Sequence, residues 1–93
     1  MVNQNKVALV FFYADWSEPC QKLRLIMHPL ADRYACRAVV LGVNVHKIDA
    51  VARAYGMTGV PDVRIVRDGR EVEQITGTHW RWRYAGALDR QLR

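Results

Sequence analysis

The spacing of apolar positions changes along the chain, and each change of period marks a new element. Val7-Ala-Leu-Val-Phe-Phe-Tyr13 is continuously apolar and rich in β-branched and aromatic residues, which predicts a central strand covered on both faces. Ser17 and Pro19 then open a helix, because serine suits the N-cap and a first-turn proline lacks an N–H the helix does not need. Leu23, Ile26, Met27, Leu30, Ala31 and Tyr34 recur at helical spacing, and Pro29 is predicted to kink that helix near Leu25, whose carbonyl it crowds. Ala38–Val45 predicts a second buried strand, and Ile48–Tyr55 a short helix stopped at Gly56. Val63–Arg67 and Glu71–Thr76 predict two strands of alternating character, joined by the hairpin turn Arg67-Asp68-Gly69-Arg70. Gly77 breaks the second of these. Finally, Trp80, Tyr84, Leu88 and Leu92 repeat every four residues, which predicts a last helix with all four facing the core.

The predicted order is β-α-β-α-β-β-α. A helical crossover makes the first two strands parallel, and the tight turn makes the last two antiparallel, so the expected fold is α/β, a four-stranded mixed sheet with helices on both faces. At 93 residues the chain suits a single domain over 1–93, with 1–6 a loose N-terminal segment. Its 51% hydrophobic and 25% charged composition excludes a disordered class. No apolar run approaches the ~18 residues of a membrane span, and no small-residue cleavage site follows the run ending at Ala14. The expectation is a cytoplasmic protein with no membrane partner.

Charge and sulfur narrow the chemistry. The net charge is +5, carried by 11 Arg and 3 Lys, and +3 of it lies from Gln74 onward. Cys20 and Cys36 are too few for a disulfide framework, and His28, His46 and His79 stand at no finger spacing from either, so neither a metal nor a cofactor is expected. The intervening helix of ~15 residues would hold the two thiols more than ~20 Å apart, too far to bond. Cys36 reads as a neutral loop residue.

The chain resembles the thioredoxin superfamily over nearly its whole length. Phe11-Phe-Tyr-Ala-Asp-Trp-Ser-Glu-Pro-Cys20 is similar to the family's strand-to-active-site passage, where Trp-Cys-Gly-Pro-Cys follows a strand. Tyr55-Gly-Met-Thr-Gly-Val-Pro61 is similar to the Tyr-Gly-Ile-x-Gly-Ile-Pro that ends in the family's cis-proline. Arg67-Asp68-Gly69 and Thr76-Gly77 fall where the family has a hairpin glycine and a glycine bordering its binding groove. The resemblance implies a minimal thioredoxin-like core with glutaredoxin-like topology, the family's first strand and helix having no counterpart before Val7. The 38–45 strand would then be an open edge, suited to pairing in a homodimer or to cover by residues 1–6. Pro29 stands about one turn later than the family's helix-kinking proline.

Two departures bear on function. Thioredoxin-type reduction needs two thiols in Cys-x-x-Cys, one attacking and one resolving. Ser17 occupies the attacking position, and Phe11 the position of the buried acid that serves the resolving thiol. The SxxC motif of Ser17 and Cys20 therefore reads as vestigial, with no catalytic residue expected, and the protein as redox-inactive rather than an enzyme. An alternative keeps Cys20 as the active group of a monothiol oxidoreductase or chaperone-type adaptor. Ser-x-x-Cys also resembles the chaperedoxins, although their helical-repeat half is absent from this sequence.

What the resemblance preserves is a protein-binding groove, at Trp16, Glu18, Pro19, Val60, Pro61 and Gly77. A cis Pro61 would leave the Val60 backbone open to an extended peptide. Glu18 and Asp62 would add negative charge beside it. The leading expectation is thus an unidentified protein partner bound in this groove, by a compact factor of the kind a phage supplies to its host's cytoplasm. A second surface is Arg81, Trp82 and Arg83, with Trp82 ~200° round the helix from Trp80 and exposed. Arginine interleaved with aromatics can serve protein hot spots or single-stranded nucleic acid. One short basic patch makes nucleic acid the weaker reading.

Overall fold

Strand β1, Val7–Tyr13, runs through the middle of the sheet with every residue but Tyr13 buried. The computed structural model describes residues 7–47, 53–54, 56 and 59–92. Within them the order is β1, α1 (Glu18–Arg33), β2 (Ala38–Asn44), β3 (Asp62–Arg67), β4 (Arg70–Thr76) and α2 (Arg81–Leu92). The sheet order is β2-β1-β3-β4. β1 pairs in parallel with β2 from Val7↔Ala38 to Tyr13↔Asn44, and antiparallel with β3 from Val7↔Arg67 to Phe12↔Asp62. This is the four-stranded mixed sheet expected, with β2 at one edge. The helix predicted over Ile48–Tyr55 lies largely outside the described residues, of which Arg53 and Ala54 are helical.

Strand alternation divides the core in two. Val7, Leu9 and Phe11 pack with Cys20, Leu23, Met27 and Leu30 of α1 and with Tyr84, Ala87 and Leu88 of α2. Ala8, Val10 and Phe12 point the other way, beside Val43 and Val66. Both described helices thus share one face of the sheet. Tyr34, the C-cap of α1, fastens them together: its phenol donates to Asp89 Oδ1 at 2.5 Å. Burial first, and that bond second, push the Tyr34 phenol above its ordinary value.

Helix α1 starts as expected at Ser17 and runs unbroken through Pro29. Proline has no N–H to give the Leu25 carbonyl, and both residues lie on the exposed side, where water can take the bond. The β3–β4 turn has positive φ at Asp68 (54°) and Gly69 (82°), the pattern of a type I′ hairpin turn. Among the described residues no helix is long and apolar enough to cross a membrane.

Three expectations fail. Trp80 does not face the core: it stands just before α2 begins, outside the helical phase that buries Tyr84 and Leu88, and is 59% exposed. Leu92 does pack against the core at the other end, but β2, at the sheet edge, is not buried throughout, with Val39 and Gly42 exposed. Strand β3 does not alternate, because both of its faces are covered, and Arg64 lies buried on the face opposite Val63 and Ile65.

Candidate functional site

The end of β1 delivers the chain to the N-terminus of α1. The Ser17 N–H returns to the Ala14 carbonyl at 3.2 Å, closing a turn that presents Asp15 and Trp16 to solvent. Ser17 itself is buried, and its Oγ accepts the Cys20 N–H at 3.4 Å. That is the N-cap bond which satisfies a helical donor lacking a partner within the helix. Cys20, one turn in, is 0% exposed and belongs to the core cluster with Leu23 and Phe11. Phe11 is buried and stacks on Tyr13 with ring centroids 5.4 Å apart, so the strand turns an apolar ring toward the cluster that contains Cys20. Cys36 lies exposed after α1, and both cysteines are free.

Two of the expected groove residues, Pro61 and Gly77, are joined by a backbone hydrogen bond. The Val60–Pro61 peptide is cis, and the Gly77 N–H donates to the Pro61 carbonyl at 3.2 Å. Gly77 holds a φ of +77°, which a residue with a Cβ adopts only with strain. The buried Tyr84 hydroxyl accepts from the His79 N–H at 3.1 Å and donates to the Gly77 carbonyl at 3.4 Å, anchoring the loop that leads into α2. Burial pushes the Tyr84 phenol above its ordinary value. Beside Gly77, Thr78 shares a depression of about 350 Å³ with Glu18, Pro19 and Lys22. Val60 is half-buried against the core cluster that contains Cys20.

Trp16 takes another direction. It is 72% exposed, and its Nε1 donates to His46 Nε2 at 2.7 Å, just beyond β2. Behind this pair the Asn44 amide donates to Asp15 at 3.0 Å and accepts the His46 N–H at 3.0 Å. Sequence reasoning missed His46 and Thr78. No local pattern links Trp16 to a residue thirty positions away, and Thr78 could have been found only from its place beside Gly77.

Of the two negative charges expected beside the groove, Glu18 is presented and Asp62 is not. Asp62 is buried, and Arg64 binds both its oxygens, at 3.3 and 2.9 Å. The same guanidinium reaches Glu71 at 2.7 Å. Its bond to Asp62 pushes the Arg64 guanidinium further above its ordinary value, against the effect of burial. Glu18 is exposed but stands 3.6 Å from Lys22 on the next turn.

On the second surface Trp82 is 68% exposed, as its position round the helix implied. Arg83 is drawn away from it, donating to Glu73 on β4 at 2.6 Å, where Arg90 also binds. Arg81 lies 5.6 Å from the centroids of both Trp80 and Trp82, whose rings meet edge to face at 6.1 Å. The two indoles therefore meet instead of pointing apart.

Residues 1–88 match the family model described as Thioredoxin. Thioredoxin 2 of Chlorobaculum tepidum is 33% identical over 92 residues, covering 99% of this chain and 84% of that protein. Thioredoxin 1 of Synechococcus elongatus is 31% identical over 84 residues, covering 90% and 78%. Among solved structures, the N21Q mutant thioredoxin from Halobacterium salinarum NRC-1 superposes with a TM-score of 0.89 at 34% identity, over 96% of this chain and 77% of that one.

Proposed function

The chain belongs to the thioredoxin family, and we propose that within it this protein is a redox-deficient binder that holds a protein partner without exchanging disulfides. The observation that carries the reading is the bond from the Cys20 N–H to Ser17 Oγ, in a chain whose other cysteine lies beyond the far end of α1. A two-thiol cycle needs a thiolate at the first motif position and a resolving thiol at the second. Here a capping hydroxyl stands at the first, and a hydroxyl is a weak nucleophile without an adjacent base. Among the described residues its hydrogen bond is to its own helix.

The binding half of the reading rests on what surrounds the motif. Trp16, Glu18 and Pro19 are exposed at the start of α1, and Pro61 and Gly77 are bonded across the adjoining loops. An extended segment laid beside Val60 would find backbone groups for strand-like pairing and an indole at one end.

The test is insulin reduction by dithiothreitol with the purified protein as catalyst. The expected result is a rate equal to that without protein, alongside partner capture from the native lysate that a Trp16→Ala/Val60→Asp variant loses. Acceleration that Cys20→Ser abolishes would refute the proposal. Rapid alkylation of Cys20 in the folded protein would favour the one-thiol alternative, which the burial of that sulfur opposes.

A further inference from the structure

Three of the large apolar side chains left exposed, Leu25, Trp80 and Trp82, line one groove between the middle of α1 and the start of α2. Pro29 completes its walls, and Arg33 and Arg81 stand at its rim. Leu25 is 75% exposed, out of phase with the buried stripe of Leu23, Met27 and Leu30. The groove encloses about 280 Å³, just under the ~300 Å³ where small-molecule pockets begin, so it suits one inserted side chain better than a whole small ligand. It lies apart from the groove treated above, whose depression is lined by Glu18, Pro19, Lys22 and Thr78.

Charge identifies the occupant. No acidic residue lines the groove. Among the described residues neither Arg33 nor Arg81 has a carboxylate within salt-bridge distance, whereas Arg83 and Arg90 are both held by Glu73. We propose that this groove docks an acidic segment of a partner protein, which seats one bulky apolar side chain among Leu25, Trp80 and Trp82 and sets its carboxylates against Arg33 and Arg81. Tryptophan and arginine around a small apolar pocket are the residues that dominate protein hot spots.

Two other occupants fit less well. Single-stranded nucleic acid stacks its bases on free aromatic faces, but Arg81 lies over both indoles, and Arg83 is committed to β4. A second copy of the chain, related by a twofold axis, would set this acid-free patch against itself and offer neither arginine a carboxylate, because such an interface is self-complementary.

The experiment selects random octapeptides on the immobilised wild-type protein and measures the affinity of the selected peptide by fluorescence polarisation. The expected consensus is a bulky apolar residue flanked by Asp or Glu. Its affinity should fall about tenfold or more in Trp82→Ala, and similarly in Arg81→Glu and in the peptide's Asn/Gln twin. Trp82 and Arg81 are exposed, so both variants should keep the wild-type circular dichroism and melting temperature. Trp16→Ala should leave the affinity unchanged, which separates this groove from the one proposed above. A neutral or basic consensus, no consensus, or binding indifferent to Trp82 and Arg81 would overturn the proposal. So would a concentration-dependent dimer lost in Trp82→Ala, or oligothymidylate binding that Trp82→Ala removes.

Discussion

Trp16 and His46 close a bridge across the top of the β1–β2 pair, with the indole N–H donating to His46 Nε2 at 2.7 Å. An indole N–H can only donate, so His46 Nε2 is the acceptor in this bond. The bridge is exposed and adds little to stability. Its effect is to hold an indole that is 72% exposed in one place beside the start of α1.

His46→Ala should therefore free Trp16 without unfolding the protein. With Trp80 and Trp82 replaced by Phe, Trp16 becomes the sole indole reporter. Its steady-state fluorescence anisotropy should drop in the His46 variant, while the urea midpoint moves by no more than about 0.5 kcal/mol equivalent. Unchanged anisotropy would mean that the bridge does not position the ring.

The buried pair of Asp62 and Arg64 leads to the opposite expectation. Both side chains are 4% exposed, and the guanidinium also reaches Glu71. Arg64→Met leaves the Asp62 carboxylate buried without its cation, a change that typically costs about 3–5 kcal/mol. The double variant Asp62→Val/Arg64→Met removes both charges and should recover most of the loss. Denaturant unfolding of the two variants checks this, and equal losses in both would contradict it.

These two relationships mark the limit of what was legible in the sequence. The run Val7–Tyr13, the cap at Ser17 and the Asp68-Gly69 turn are local, and the structure places all three where their residues indicated. Arg64 was not legible as buried, because its polarity suggested a solvent face and its partners are supplied by the strand itself and by its neighbour. Trp80 was misplaced because a period of four says nothing about where the first helical turn starts, and α2 begins one residue later. Of the candidate site, the helix-start residues were readable from the motif. The Trp16–His46 bond and the groove at Leu25 arise only when distant segments meet.

Glu73 gives a pH dependence of known sign. Hydrogen bonding to Arg90 foremost, with Arg83 adding to it and partial burial opposing, holds its carboxyl below the ordinary value of 4.5. The unfolded chain then binds a proton more readily than the folded one. The stabilisation is present in full above about 4.5 and is lost as pH falls through the depressed folded value. Glu73→Gln should cost about 1 kcal/mol at pH 7, since both arginines are partly in solvent, and the cost should fade below that range. Urea unfolding at pH 7 and at pH 3 measures it. A deficit that persists undiminished at pH 3 would show that Glu73 stabilises by packing instead of charge.

The last expectation concerns restoring what Ser17 lacks. Ser17→Cys creates Cys-x-x-Cys at the start of α1, where residues three apart have Cβ atoms about 5–6 Å apart, within small adjustment of a disulfide. Diamide should then remove two of three thiols, leaving exposed Cys36, and tryptic mapping should find the introduced thiol bonded to Cys20 in place of the capped serine. The new thiol at the helix N-terminus is favoured as thiolate and can attack insulin disulfides. Release of the product still requires Cys20 to lose its proton, and the neighbouring strand position is Phe11, buried against Tyr13 with no titratable group. The variant should therefore form the mixed disulfide readily but turn over slowly, so that trapped insulin conjugates accumulate and the pH optimum moves to alkaline values. Turnover at neutral pH without accumulated conjugate would show that Phe11 is no obstacle, and that Ser17 alone separates this chain from the redox chemistry of Cys-x-x-Cys.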